Sequence, residues 1–278
     1  MKTLAYFPGN CSLNSTSVMS AFLEFAQTVF TLQPNSLTAD VAVIWSCLWH
    51  GRMLDNQQVY ESYQKLGKPI IIIEVGSLKR NTTWKIAVNN INNQGYYGHK
   101  ENLDLDRPKK LGIKLNTQTK NNNKILIVAQ HQKSHQLVNL PNLESWIQEQ
   151  INNLKLHTDK DIVVRPHPRL RLNTATLKNC QIENPSRIIN TYDDFDLTFN
   201  WHVIINYNSG VGIQAAIAGT PIIVSSTSLA YPISNIISNI ETVKNLATDQ
   251  WLTEICHTEY TIEEIQQGQW YKRIETAL

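Results

Sequence analysis

The chain has 278 residues, 42% of them hydrophobic and 17% charged, with a net charge of +2. This is the composition of a globular protein with a substantial core, long enough for one large or two small domains, and the mild charge neither demands nor excludes a nucleic-acid partner. No apolar run approaches the roughly eighteen residues of a membrane span, no signal peptide is visible, and the four scattered cysteines lack a C-x-x-C pair, which argues against a disulfide framework or structural zinc and for a cytoplasmic protein.

Apolar runs alternate with amphipathic stretches, the pattern of α/β layering. Leu4–Phe7 is predicted as the first strand, and Ser17–Phe30 as a helix with Ser15 or Thr16 as its cap. Val41–Trp45 reads as a strand, Asn56–Leu66 as a helix, and Pro69–Glu74 as a strand after the Gly67-Lys68-Pro69 break. From Gly76 to about Leu115 the pattern is irregular, and a structureless loop of that length is usually functional. The polar run Asn116–Asn123 is the expected linker between domains spanning residues 1–118 and 119–260.

Beyond it a second α/β series begins. Lys124–Ala129 is a predicted strand and Leu143–Leu154 a helix opening at Pro141 and Asn142. Asp161–Arg165 and His202–Asn206 are predicted strands, Arg187–Ile189 a further candidate, and Val211–Ala218 a helix stopped by Gly219 before the strand Thr220–Ser225. An amphipathic helix over Thr261–Thr276 is expected to pack back onto the first domain. Two such halves would face one another across a cleft, with the loops after Ala129, Val164 and Asn206 on one rim.

Chemistry concentrates at two strand ends. Arg165-Pro-His-Pro-Arg169 sets His167 between prolines that restrict its backbone, flanked by guanidiniums able to fork onto phosphate oxygens. Asn206-Tyr-Asn-Ser-Gly-Val-Gly212 is a polar turn into a helix whose first amides and dipole favour an anion. Neither a G-x-G-x-x-G fingerprint with its acidic partner nor a Walker A sequence occurs. Asp104-Leu-Asp106 has the letters of a D-x-D metal motif without the preceding apolar strand. His131 and His135 stand four apart without the carboxylate of H-E-x-x-H, so no metal site is expected.

Taken in order, Ile125–His131, Val163–Pro168, Tyr192–Phe195 and Asn208–Pro221 resemble the nucleotide-sugar-binding half of GT-B glycosyltransferases of the capsule polysaccharide (Kdo transferase-like) group. The resemblance covers residues 124–226 and departs at Gln214, where that group usually has a glutamate that would hold ribose or sugar hydroxyls. It implies two Rossmann-like domains around a central cleft, a UDP-type nucleotide-sugar as donor substrate, and no further cofactor. Gln130, Arg165, His167, Arg169, Asn208, Ser209, Gly210 and Gln214 would then contact the donor. Stabilising a departing nucleotide diphosphate with cations and a helix terminus is what such a transfer needs.

The amino-terminal half resembles that of phage-encoded glycosyltransferases in Gly67–Gly76, Arg80–Lys85 and Gly95–Gly98, and would receive the acceptor. Glu74 at a strand end is a candidate base for the acceptor hydroxyl, with Asp104 and His50 as rivals. Arg80, Trp84, Lys85, Tyr96, Tyr97 and His99 mix cations with aromatics, which suits a phosphate backbone with stacked bases. The acceptor this implies is double-stranded DNA carrying a hydroxymethylpyrimidine such as 5-hydroxymethylcytosine. A capsule-type transferase acting on a glycan with a CMP- or UDP-sugar is the alternative on the same fold. A nucleotide-sugar epimerase is the alternative reaction, with Asp193, Asp194 and Asp196 as its available carboxylates.

Overall fold

The computed structural model describes residues 1–117, 122–140, 142–169, 172–185 and 201–278. Among them the strands are β1 (Lys2–Tyr6), β2 (Phe30–Pro34), β3 (Val41–Trp45), β4 (Ile70–Val75), β5 (Trp84–Val88), β6 (Lys124–Val128), β7 (Asp161–Arg165), β8 (Gln181–Ile182), β9 (Val203–Asn206), β10 (Ile222–Val224) and β11 (Glu259–Tyr260). The α-helices are α1 (Thr16–Ala26), α2 (Asn56–Lys65), α3 (Arg107–Lys110), α4 (Leu143–Lys155), α5 (Gly210–Ile217), α6 (Asp249–Cys256), α7 (Ile262–Gln266) and α8 (Gln269–Ile274). The chain divides into two compact units, Met1–Asp104 with Glu254–Leu278, and Leu105–Thr253.

The described strands of the first unit form a six-stranded sheet in the order β11-β5-β4-β3-β1-β2. Strands β2, β1, β3 and β4 run parallel, and β5 pairs antiparallel with both β4 and β11. The order 2-1-3-4 is that of a flavodoxin-like doubly wound sheet, whose switch point lies between β1 and β3. The consecutive isoleucines Ile70–Ile73 of β4 are fully buried, as expected of a central strand covered on both faces. One covering layer is α1 with the carboxyl-terminal helices, where the Phe22 and Trp270 rings stack at 4.3 Å. The other holds Val59, Tyr60 and Tyr63 of α2.

In the second unit the described strands form a five-stranded sheet, β10-β9-β6-β7-β8, all parallel. Counted from β6 this is the Rossmann order 3-2-1-4-5, with its switch point between β6 and β9. Helix α4 buries Leu143, Ile147, Ile151 and Leu154 at helical spacing against one face. Asn142 starts it, its side chain accepting from the Ser145 amide at 2.7 Å.

Several expectations are corrected. The segment from Gly76 to Leu115 is not structureless: β5 lies within it, entered after Asn81 at φ 62° and left through Asn89 at φ 67°. The helix expected to reach Phe30 ends at Ala26, and Phe30 opens β2. The single carboxyl-terminal helix is instead α7 and α8, broken at Gly268 with φ 70°. A Cβ at Gly268 would sit 2.1 Å from the Phe25 ring, so only glycine permits both that backbone and that packing. Residues 118–121 of the expected linker, Pro141, the candidate strand Arg187–Ile189, the Tyr192–Phe195 segment and Asp193, Asp194 and Asp196 lie outside the described residues.

Candidate functional site

In the second unit β6 lies between β9 and β7, so the loops leaving these three strands are neighbours. Gln130 follows β6 and Asn208 follows β9, and they meet across the switch point. Gln130 Nε2 donates to Asn208 Oδ1 at 3.0 Å, and the Asn208 amide approaches Gln130 Oε1 at 3.4 Å. Asn208 Nδ2 donates onward to Thr227 Oγ1 at 2.9 Å and to the Gln136 carbonyl at 3.1 Å. An amide pair anchored through Asn208 to two further groups fixes the edge where ligands bind in such sheets.

Helix α5 starts immediately beyond. Asn206 is fully buried, and its Nδ2 donates to Ser209 Oγ at 3.1 Å and to the Ser209 carbonyl at 3.2 Å. The Ser209 hydroxyl is thereby engaged, and the helix begins without a side-chain cap on its first amides. Gly212 is required because a Cβ there would meet Asn206 Oδ1 at 2.7 Å. One turn into the helix, Gln214 holds a buried Oε1 with no hydrogen-bond partner among the described residues. A buried acceptor left unmatched costs free energy and marks a place for a donor.

On the other side of β6 the Arg165–Arg169 loop places His167 beside His131, their rings 5.2 Å apart and nearly perpendicular at 80°. Arg165 is paired with Glu183, and its guanidinium lies over the Trp201 ring at 5.8 Å. Arg169 is exposed, and its amide donates to His167 Nδ1 at 3.2 Å. The structure thus brings together Gln130, His167, Asn208, Ser209 and Gly210 at adjoining strand ends, with Gln214 a turn deeper. A separate cavity of about 590 Å³ opens on the same unit against Glu144, Gln148 and Asn173 and contains none of these groups.

In the first unit Glu74 sits near the end of β4 with both oxygens engaged. Ser46 Oγ donates to Oε2 at 2.6 Å, and the Val75 amide donates to Oε1 at 2.9 Å. Ser46 follows β3 in a left-handed conformation, φ 64°, held by its own amide to the Ile73 carbonyl at 2.7 Å. A serine there is strained by about 1–2 kcal/mol, and such strain clusters at functional positions. Sequence reading had no means of finding Ser46, because its backbone angle is not written in its residue type.

Lys85 stands in register with Glu74 on one neighbouring strand and Glu259 on the other, so all three share one face of the sheet. This accounts for a lysine that is only 6% exposed, its Nζ donating to Ser77 Oγ at 3.3 Å. Glu259 is fully buried and accepts from the Ser77 and Leu78 amides and from Thr83 Oγ1 at 2.7 Å.

The remaining candidates do not gather into one surface. Trp84 and Lys85, expected on an open basic loop, are buried in β5, because the strand packs both of its faces. The Tyr97 ring is half-buried, with its hydroxyl enclosed and without a hydrogen-bond partner among the described residues. Burial first, then the Glu259 carboxylate and Cys47, push that hydroxyl's pKa well above its ordinary value, so it stays protonated. Tyr96 bonds Thr276 Oγ1 at 2.9 Å, with the exposed His99 edge-on to its ring at 5.9 Å. Arg80 is half-buried, His50 is exposed, and Asp104 is exposed with its amide bonded to His257 Nε2 at 3.2 Å. No group of three or more potential metal ligands occurs among the described residues, and no described helix is long and apolar enough to cross a membrane.

No protein-family model matches the sequence, and no curated protein matches it. Among solved structures, the KpsC β-Kdo 2,7 transferase of Thermosulfurimonas dismutans overlaps with a TM-score of 0.54 at 15% identity, over 97% of this chain and 98% of that one. The β-Kdo 2,4 transferase of the same organism's KpsC overlaps with a TM-score of 0.51 at 11% identity, over the same shares. A UDP-GlcNAc 2-epimerase of Methanocaldococcus jannaschii overlaps at a TM-score of 0.35 and 12% identity, too loosely to bear on chemistry. The fold is of the GT-B class, with two Rossmann-like units.

Proposed function

We propose that this chain is a glycosyltransferase that binds a nucleotide-sugar on its second unit and passes the sugar to an acceptor hydroxyl. The observation that carries this reading is the Gln130–Asn208 pair locked across the β6/β9 switch point, with the start of α5 and His167 on either side. A nucleotide diphosphate laid along that edge would meet His167, the exposed Arg169 and the Ser209 and Gly210 amides as charge builds on the leaving phosphate. The unmatched Gln214 Oε1 suits a ribose or sugar hydroxyl, the donor it lacks. Glu74, oriented by Ser46, is the base we assign to the acceptor hydroxyl.

For the acceptor, the burial of Trp84 and Lys85 favours a glycan hydroxyl over the polyanionic backbone of DNA. A hydroxymethylpyrimidine in DNA is the second reading, resting on the half-buried Arg80 and the exposed His99 and Lys100. Calorimetry with UDP and CMP tests the donor site, where His167→Ala should weaken binding by about tenfold or more. Mass analysis after incubation with UDP- and CMP-sugars, offering a Kdo-terminated glycan in one arm and hydroxymethylcytosine DNA in the other, separates the acceptors. No nucleotide binding and no mass gain in either arm would sink the proposal.

A further inference from the structure

We infer that the groove between α4 and the segment following β7 is a binding site for a neutral saccharide, separate from the nucleotide edge. It stands on the groove's own lining and does not rest on the nucleotide reading above.

Helix α4 gives Leu143, Ile147, Ile151 and Leu154 to the core. Ser145, Gln148, Glu149 and Asn152 follow the same helical spacing on another side and form one wall of the cavity of about 590 Å³. Asn173 and Thr176, from the stretch between β7 and β8, line the other wall. Two side chains of the helix clip that wall in place. Glu144 Oε1 accepts from the Asn173 amide at 3.3 Å, and Gln148 Oε1 accepts from the Lys178 amide at 2.8 Å. These bonds fall on either side of the single turn at Thr174–Thr176, so the groove is shaped before any ligand arrives.

The chemistry of the lining is narrow. Its charges are the carboxylates of Glu144 and Glu149, and no lysine, arginine, histidine or aromatic ring is among the described lining residues. Carboxylates without a cation turn away phosphate, and a wall with no ring or aliphatic side chain gives a lipid or a nucleobase nothing to pack on. Asn142 commits its Oδ1 to the Ser145 amide at 2.7 Å, and Asn152 commits its own to Gln148 Nε2 at 2.8 Å. What these two side chains still offer is N–H. A metal ion or an ammonium group needs oxygens around it and is repelled by N–H donors. Donors set beside carboxylate acceptors match groups that both give and take a hydrogen bond, and vicinal sugar hydroxyls present such groups in rows. The volume lies within the roughly 300–1,000 Å³ of small-ligand sites. Helix stability does not account for Asn152 either, since asparagine is a weak helix former in a helix interior.

The competing role is a solvated helix face that binds nothing. The full chain, ¹⁵N-labelled, is titrated with glucose, N-acetylglucosamine and cellobiose, and in separate arms with inorganic phosphate, calcium and spermidine, while backbone and side-chain amide resonances are followed. We expect at least one sugar, at about 1–10 mM, to move the side-chain amide signals of Asn142, Asn152 and Asn173, and phosphate to leave them in place. Ser145→Leu sets an apolar chain in the groove, and Glu149→Lys sets a cation beside the donors. Both positions are exposed, so each variant should weaken sugar binding by about tenfold with little change in melting temperature. The inference is overturned by no response to any sugar up to about 50 mM, by equal sugar binding in both variants, or by a response to phosphate, calcium or spermidine with none to sugar. His167→Ala should keep the sugar response. Its loss there would assign the response to the nucleotide edge and overturn the second site. A parent protein that answers sugar here but binds neither UDP nor CMP would keep this inference and remove the nucleotide reading.

Discussion

At the scale of single residues, the two units use side chains in opposite ways. Glu74 has one hydrogen bond on each oxygen and a lone pair left on each for a proton, whereas the Gln214 oxygen is buried with no partner among the described residues. Replacing Glu74 with Gln keeps the shape and removes the base. If Glu74 takes the acceptor proton, turnover falls by about 10²–10⁴ while UDP or CMP affinity is unchanged, as steady-state kinetics and calorimetry would register. Gln214→Met inverts the experiment. An apolar side chain of similar volume removes the unmatched acceptor, so the melting temperature should hold or rise while nucleotide affinity drops. A lower melting temperature with unchanged affinity would mean that Gln214 is structural.

At the scale of elements, the breaks decide more than the runs. Gly268 separates α7 from α8 so that Trp270 can stack on Phe22 with Phe25 edge-on. Gly268→Ala puts a methyl into the Phe25 ring at a left-handed backbone position, and we expect a loss of about 2–4 kcal/mol in denaturant unfolding. An unchanged midpoint would show that the Phe25 ring gives way freely. Most strands were legible because apolar runs such as Ile70–Ile73 have no other use in a chain of this composition. The histidine loop and the entry to α5 were legible because proline and glycine punctuate strand ends. β5 was hidden by the asparagines around it and by Lys85, a charge acceptable inside because carboxylates flank it, Glu74 on the preceding strand and Glu259 on a strand distant in sequence. Ser46 and the Gln130–Asn208 bond were illegible for the same reason, since each depends on a partner that only the sheet order supplies.

At the scale of the whole molecule, acid should loosen both units through identifiable carboxylates. Asp40 accepts from the Thr3 amide and hydroxyl, both at 2.8 Å, which holds its pKa below the ordinary 3.8. Glu241 is held below 4.5 by its bond to Lys160 and then by that to Thr158. A folded-state pKa below the unfolded one means that the stabilisation is complete above the ordinary value and lost as pH falls through the folded value. Asp40→Asn and Glu241→Gln should therefore each flatten the fall in melting temperature below about pH 4.5 and leave the neutral region nearly parallel to the parent curve. A fall of unchanged steepness would assign acid sensitivity elsewhere.

The unit that begins with β1 is finished by residues 254–278, which add β11 to its sheet edge and Trp270 to its core. During synthesis this makes the order of maturation the reverse of the order of appearance. Residues 105–253 form one continuous stretch able to close on itself, while the earlier residues must wait, Phe22 unstacked and the fully buried Glu259 not yet made. Nascent chains arrested after Thr253 should accordingly resist protease within the strands and helices described between 105 and 253 and be cut within 1–104, and the protection of 1–104 should appear only when α7 and α8 have left the ribosome.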